Sequence, residues 1–251
     1  MNDALFKLSK APIIEAVLDV HCDMPTGKPI TALEKPAFEL LHDRYPKLRA
    51  SLVQTHQIQP QGDQQPKMSV QNGVQGYQFL HEDEKQLVQI RAQGFSFNRL
   101  SPYTSLDDYL PEIERTWKLF VGIAAPVQIR TVYLRYINRI MLPMPNNEVK
   151  LEDYLKVCPR LPDEQNLTFT GFLNQHTAEE SDTGNQVTIV LTTQPSEPKF
   201  LPLIFDITAA SPKAGEVENW TWLLGQIQAL RALKNRVFRN TLTEQCLNLF
   251  H

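Results

Sequence analysis

IRTVYLRYINRIMLP, residues 129–143, is the stretch from which the rest of the chain is read. Ile, Thr, Val and Tyr dominate it and a proline closes it, which predicts a strand over 129–141. Side chains of a strand alternate between two faces. One face then carries Val132, Leu134, Tyr136 and Ile140, with Asn138 among them. The other carries Thr131, Tyr133, Arg135, Ile137 and Arg139. The first is a core face. The second sets two guanidinium groups on one side of a sheet. Such forks suit phosphate or carboxylate; they suit equally well a solvated face on which they pair with acids of a neighbouring strand.

Working outward, the N-terminal side offers a second alternating stretch. In IIEAVLDVHC, residues 13–22, Ile14, Ala16, Leu18, Val20 and Cys22 share one face, and Ile13, Glu15, Val17, Asp19 and His21 the other. A helix follows from Thr31, with Glu34 three residues on as in a capping box, and Pro46 ends it. A strand is expected over 50–58, a polar loop over 59–66 (QPQGDQQP), and short strands over 68–70, 77–80, 87–92 and 95–100. Asn72-Gly73, the acidic segment 81–85 and Gly94 are the turns between them. Leu106, Tyr109, Leu110, Ile113, Trp117, Phe120 and Ala124 recur at helical spacing over 105–124. Pro111 requires that helix either to start near Leu110 or to kink.

Beyond the central strand the pattern predicts a short helix over 151–157, a strand over 167–175, an acidic hairpin loop over 178–185, and strands over 186–193 and 200–208. The longest helix is expected over 219–239. Trp220, Leu223, Leu224, Ile227, Leu230, Val237 and Phe238 form its buried side, and Arg231, Lys234, Arg236 and Arg239 load its last turns with positive charge. Residues 241–250 form an amphipathic tail.

Composition bounds what the chain can be. It has 251 residues, with 42% hydrophobic and 21% charged, which is globular rather than disordered. The formal net charge of -3 gives no global basic field for nucleic acid. Cys22, Cys158 and Cys246 are scattered, with no CxxC, so neither a disulfide framework nor a zinc site is indicated. No apolar run approaches membrane-spanning length and the first residues hold no signal core, so the cytoplasm is the expected compartment.

The order of elements repeats. Residues 13–124 read β-α-β, three or four further strands, then α; residues 129–239 read β-α-β-β-β-α. Setting VLDVHCDMP (17–25) against RYINRIMLP (135–143) puts both closing prolines in register and equates Val17 with Arg135. The expected fold is α+β: two pseudo-duplicated halves, 1–125 and 126–251, forming curved antiparallel sheet and one compact unit, with long helices packed on one face. That order of elements resembles the duplicated sheet-and-helix saddle of TATA-binding proteins and, less closely, the helix-grip folds that hold ligands against a sheet. The segments APIIEAVLDV (11–20), FSFNRLSPYTSLDDY (95–109) and RYINRI (135–140) resemble those of a sporadically distributed, uncharacterised bacterial family of about this length. That resemblance implies a bacterial, cytoplasmic protein and no particular activity.

No GxSxG, P-loop, GxGxxG or HExxH occurs, and no cofactor is indicated. Asp19, His21 and Asp23 share a strand face as a carboxylate–histidine group that could hold a divalent ion, and Cys158 stands before Pro159 with no histidine placed to activate it. The expectation is therefore a non-enzymatic binding or regulatory protein acting through a protein partner or a second copy, with an accessory part in a bacterial defence or toxin–antitoxin system as one setting. The alternative is a binder or enzyme for a phosphorylated small molecule or nucleotide. Its ligand would be held by Arg135 and Arg139, joined by Arg91, Asn98 and Arg99, with Tyr133 among the stacking aromatics beside Phe95, Phe97 and Tyr103. A third is nucleic-acid binding through the saddle or the basic end of the last helix.

Overall fold

Among the described residues nine strands join in a single antiparallel sheet because the two alternating stretches pair with each other at its centre. The computed structural model describes residues 8–61, 64–162, 167 and 170–251, of which 54–61 and 64–72 by backbone alone. The strands are β1 (Ile13–Asp23), β2 (Lys47–Gln61), β3 (Gln64–Leu80), β4 (Gln86–Arg91), β5 (Gly94–Leu100), β6 (Gln128–Pro143), β7 (Leu173–Glu179), β8 (Gln186–Thr193) and β9 (Phe200–Ser211). Their order is β2-β3-β4-β5-β1-β6-β9-β8-β7. The β1–β6 ladder sets Val17 opposite Arg135, Leu18 opposite Leu134 and Val20 opposite Val132. Sheet and core are therefore continuous across residue 125.

Alternation holds along β6 as the residue types dictate. Val132, Leu134, Tyr136, Asn138, Ile140 and Leu142 are buried, while Arg135 is exposed and Tyr133, Ile137 and Arg139 are half-buried. The pattern slips once. Register shifts between His21 and Cys22, where Arg130 is passed over, so Ile129 is buried out of phase, as a β-bulge permits.

The α-helices of the described residues are α1 (Glu34–Leu41), α2 (Leu106–Ala124), α3 (Trp220–Thr241) and α4 (Glu244–Leu247). Ser105 caps α2 by accepting from the Asp107 amide at 3.3 Å, and Asn219 caps α3 by accepting from Trp222 at 2.9 Å. Trp117 and Phe120 of α2 pack on Phe95 of β5, with ring centroids 5.6 and 5.7 Å apart. Phe238 of α3 stacks on Phe205 of β9 at 5.5 Å. Burying each such ring contributes roughly 2–3 kcal/mol. Glu112 ties α1 to α2: Arg44 donates to it at 2.6 Å, Tyr45 at 3.0 Å and Arg115 at 2.7 Å. Gly94 closes the β4–β5 turn at φ +141, and a Cβ there would meet the Val20 carbonyl oxygen at 2.1 Å. Only glycine fits both the angle and the approach of β1.

Several sequence expectations need correcting. The helix at Thr31 begins as a 3-10 turn, Ile30–Leu33, without a side-chain cap, so no capping box forms. The segment 59–66 is not simply a loop, since β2 runs to Gln61 and β3 starts at Gln64; residues 62–63 lie outside the described residues. Asn72-Gly73 is no turn either, because Asn72 pairs with Gln54 and Gly73 with Val53 inside one long hairpin. The local turn preference yields there to a partner strand long enough to continue the ladder. Pro111 lies inside α2, which starts at Leu106 rather than near Leu110. Residues 151–157 form only a 3-10 turn, Leu151–Asp153, after which Leu155 bridges to Leu242. The strand expected over 167–175 falls partly outside the described residues; β7 begins at Leu173 and runs to Glu179, into the expected loop.

Candidate functional site

The polar face of the sheet holds most of the arginines that the sequence singles out, and each is engaged by the protein itself. The Arg135 Nε donates to both oxygens of Asp206 on β9 at 3.0 Å. Arg139 donates from Nε to Gln194 Oε1 at 3.1 Å and pairs with Glu197. The two lie four residues apart, about 13 Å along a strand, each with its own acid. Arg91 pairs with Asp19. Asn98 donates to Glu15 at 2.9 Å and accepts from Gln89 at 2.9 Å, and Gln89 in turn accepts from Gln78 at 3.3 Å. A ladder of amides thus crosses β1, β5, β4 and β3. Tyr133 sits beside His21, ring centroids 4.9 Å apart. Arg99 is not on this face: its register opposite Ala16 turns it toward α2, where it lies 5.5 Å from the Tyr109 ring centroid. Glu15 and Asp19, the acids that β1 places on this face, do not pair with the arginines of the adjoining β6. Glu15 and Asp19 bond within the first half, because β9 brings Asp206 closer to Arg135.

Other sequence candidates are similarly occupied. His21 lies 3.6 Å from Asp19, while Asp23 pairs with Arg130. The Cys158 Sγ donates to the Leu155 carbonyl at 3.2 Å, and burial, then the Glu152 charge, pushes its thiol up, the opposite of what a nucleophile requires.

A different place leaves polar groups unspent. Between the start of α2, the middle of α3 and the central strands lies a cavity of about 240 Å³. Asn138 and Tyr136 come from β6, Lys234 and Asn235 from α3, and Tyr103 from the segment before α2. Ala11, Pro12, Ile13, Leu106 and Phe238 supply apolar wall. Arg231 reaches across to Asp107 with two bonds, 2.7 and 3.0 Å, locking α3 to the N-terminus of α2. The Tyr103 and Tyr136 hydroxyls meet at 2.8 Å. Lys234 Nζ stands 4.0 Å from the Tyr136 ring centroid. Among the described residues no carboxylate pairs with it. Burial first, and the Arg231 charge second, push its ammonium down to about 7. Burial pushes the Tyr136 phenol up to about 12.

Two amides complete the cavity. Asn138, only 2% exposed, donates to the Phe205 carbonyl at 2.9 Å and weakly to that of Tyr136, which leaves its side-chain oxygen without a donor among the described residues. Asn235 is 8% exposed, and its side chain has no hydrogen-bond partner among the described residues. Neither amide is sealed from solvent: the fully buried side-chain atoms without a partner among the described residues are Arg91 Nε, Arg99 Nε and Asn185 Oδ1, so Asn138 and Asn235 present their free atoms to the cavity. The sequence carried a signal for both: Asn138 interrupts the apolar face of β6, and Asn235 falls within the buried stripe of α3. Lys234 read only as helix-end charge, since nothing local reveals that Tyr136 lies beneath it.

No protein-family model matches the chain, and no curated protein matches it. No helix among the described residues is long and apolar enough to cross a membrane.

Proposed function

We propose that this chain is a non-catalytic binding protein whose ligand occupies the cavity between α2, α3 and β6. The observation that carries this reading is the convergence there of Lys234, Asn235 and the Asn138 oxygen, three polar groups with no acid or hydrogen-bond partner among the described residues. Folded proteins rarely leave such groups without a use. The sheet-face arginines support ligand binding less well, because each already pairs with an acid, Asp206, Glu197 or Asp19, and the Arg91 Nε that has no partner among the described residues is buried out of a ligand's reach. The basic end of α3 likewise supports nucleic-acid binding less well, since Arg231 and Arg236 pair with Asp107 and Glu180. A thermal-shift screen with organic acids, phosphosugars, nucleotides and short oligonucleotides tests the reading. A stabilising compound should lose its effect on Lys234→Met and keep it on Arg135→Ala. The reverse pattern would move the site to the sheet.

The architecture behind this reading is a duplication. Three features support it. Val17 and Arg135, equated by the sequence alignment, face each other across β1 and β6, as a twofold axis between them requires. Each half runs outward in the same sense, its opening strand beside its last: β1-β5-β4-β3-β2 and β6-β9-β8-β7. The last strand of each half is followed by a long helix whose rings pack on Phe95 or Phe205, residues that the register puts on one face of the sheet.

A second reading, association with a protein partner or a second copy, is favoured by the β2–β3 hairpin. Beyond Gly76 β3 pairs with β2 alone, and β2 is an edge of the sheet with Leu52 70% and Val53 41% exposed. Exposed apolar edges pair readily with other strands. Light scattering on the purified chain should show a dimer that Leu52→Lys weakens; a monomer at every concentration removes self-association.

A further inference from the structure

We infer that the ligand of this cavity is a small organic monoanion: a monocarboxylate with an apolar body and one hydrogen-bond donor of its own. The inference rests on the reading of the cavity as a ligand site and adds the chemical class.

Charge comes first. Arg231 and Asp107 cancel through a two-bond pair, so among the described residues the cavity's remaining charge is the ammonium of Lys234. One negative charge on the ligand balances it. A dianion would leave an uncompensated charge in a partly desolvated space, which is costly. The N-terminus of α2, at Ser105 and Leu106, borders the same space and adds a fractional positive potential without a second full charge.

Hydrogen-bond capacity comes next. Lys234 offers N–H donors, and Asn235 offers two more. Tyr103 and Tyr136 share one bond between two hydroxyls, so one O–H hydrogen is left to donate. These donors match the lone pairs of a carboxylate. On the acceptor side stand the side-chain oxygens of Asn138 and Asn235, which no donor among the described residues reaches. A ligand hydroxyl or N–H satisfies one or both. An ammonium group would not fit that role, because the one carboxylate at hand, Asp107, is committed to Arg231.

Size and surface set the body. The cavity, about 240 Å³, exceeds the roughly 150 Å³ that accommodates a benzene ring in an engineered core. Pro12, Ile13 and Phe238 give it an apolar side. A hydroxy acid carrying one ring or a short branched chain therefore fills the space and both polar walls.

The charged groups facing Lys234 are Arg231 on its own helix and Asp107 on α2; Tyr103 and Tyr136 face it from the loop and the sheet. The Arg231 pair holds Asp107 below its usual range, and burial raises both phenols. Lys234 is thus the group that titrates near neutrality, and a bound anion favours its protonated form. Affinity for a monocarboxylate should be flat below pH 7 and fall by about tenfold per pH unit above the Lys234 titration.

The test is calorimetry on the full chain with lactate, mandelate, 4-hydroxybenzoate, mandelamide, phenyl phosphate and inorganic phosphate, at several pH values. Mandelate or 4-hydroxybenzoate should bind with one site, and mandelamide about 10- to 100-fold more weakly, as expected for loss of a charge-assisted bond. Lys234→Met should weaken the acid by the same factor, with a circular-dichroism melt to show that it folds, and should abolish the pH dependence. Asn235→Leu should weaken it independently. Tighter binding of mandelamide or of either phosphate than of the monocarboxylates would overturn the monoanion class while leaving the cavity as a ligand site. Failure of every probe to bind would overturn both.

Discussion

The two sides of the sheet treat their cations in opposite ways. On the polar face, Arg135, Arg139 and Arg91 each meet an acid, and Asn98 uses both ends of its amide. Beneath α3, among the described residues, Lys234 meets a ring and no acid, and Asn235 has no hydrogen-bond partner. The difference teaches that a row of cations is poor evidence of a site when carboxylates lie within reach. Fewer polar groups, deeper in and left unmatched, are better evidence. Paired charges are closed to a ligand; unpaired ones carry a desolvation cost that a ligand can relieve.

Four outcomes would sharpen or break this contrast. The largest effect should come from Arg91→Leu. It leaves Asp19 without its partner in a mostly buried position, and urea unfolding should show a loss of about 2–4 kcal/mol. Lys234→Met should act in the other direction, stabilising by on the order of 1–3 kcal/mol at neutral pH, because it removes an ammonium that burial disfavours. If the variant is instead destabilised by that much, Lys234 is structural and the contrast fails.

The third outcome is the pH dependence of that gain. In the folded state Lys234 titrates near 7, below its ordinary value of 10.5. The unfolded chain therefore binds more protons between those values, and stability from this group rises with pH across that window. The advantage of Lys234→Met should be complete below pH 7 and vanish as pH rises through 10.5, a trend that parallel unfolding curves would reveal. The smallest effect should be that of Arg139→Ala. Its partner Glu197 is 47% exposed and stays hydrated when the arginine is removed, so the loss should stay below about 1 kcal/mol and shrink in salt.

Much of the fold is legible in residue order. Alternation over Ile13–Asp23 and Gln128–Pro143 gave both central strands and their buried faces, with Leu134 and Tyr136 inward and Arg135 outward. Helical spacing gave α2 and α3 within a residue or two. Where the reading slipped, a partner element overrode a local preference. Asn72-Gly73 favours a turn in isolation yet lies in a ladder opposite Gln54 and Val53. The capping pattern at Thr31 gave way to a 3-10 turn.

Residue order alone settles which side of each strand and helix is oily, because burial of apolar surface depends on a period that any stretch displays in isolation. It also marked Asn138 as a polar residue in an oily row. Which charges are satisfied emerges only once the elements pack together. Asp206 reaches Arg135 across 71 positions and Asp107 reaches Arg231 across 124. Lys234 is left above Tyr136 with neither acid. Electrostatic pairing acts over a few ångströms of space rather than along the chain, so its outcome waits on the packing of elements that are distant in sequence.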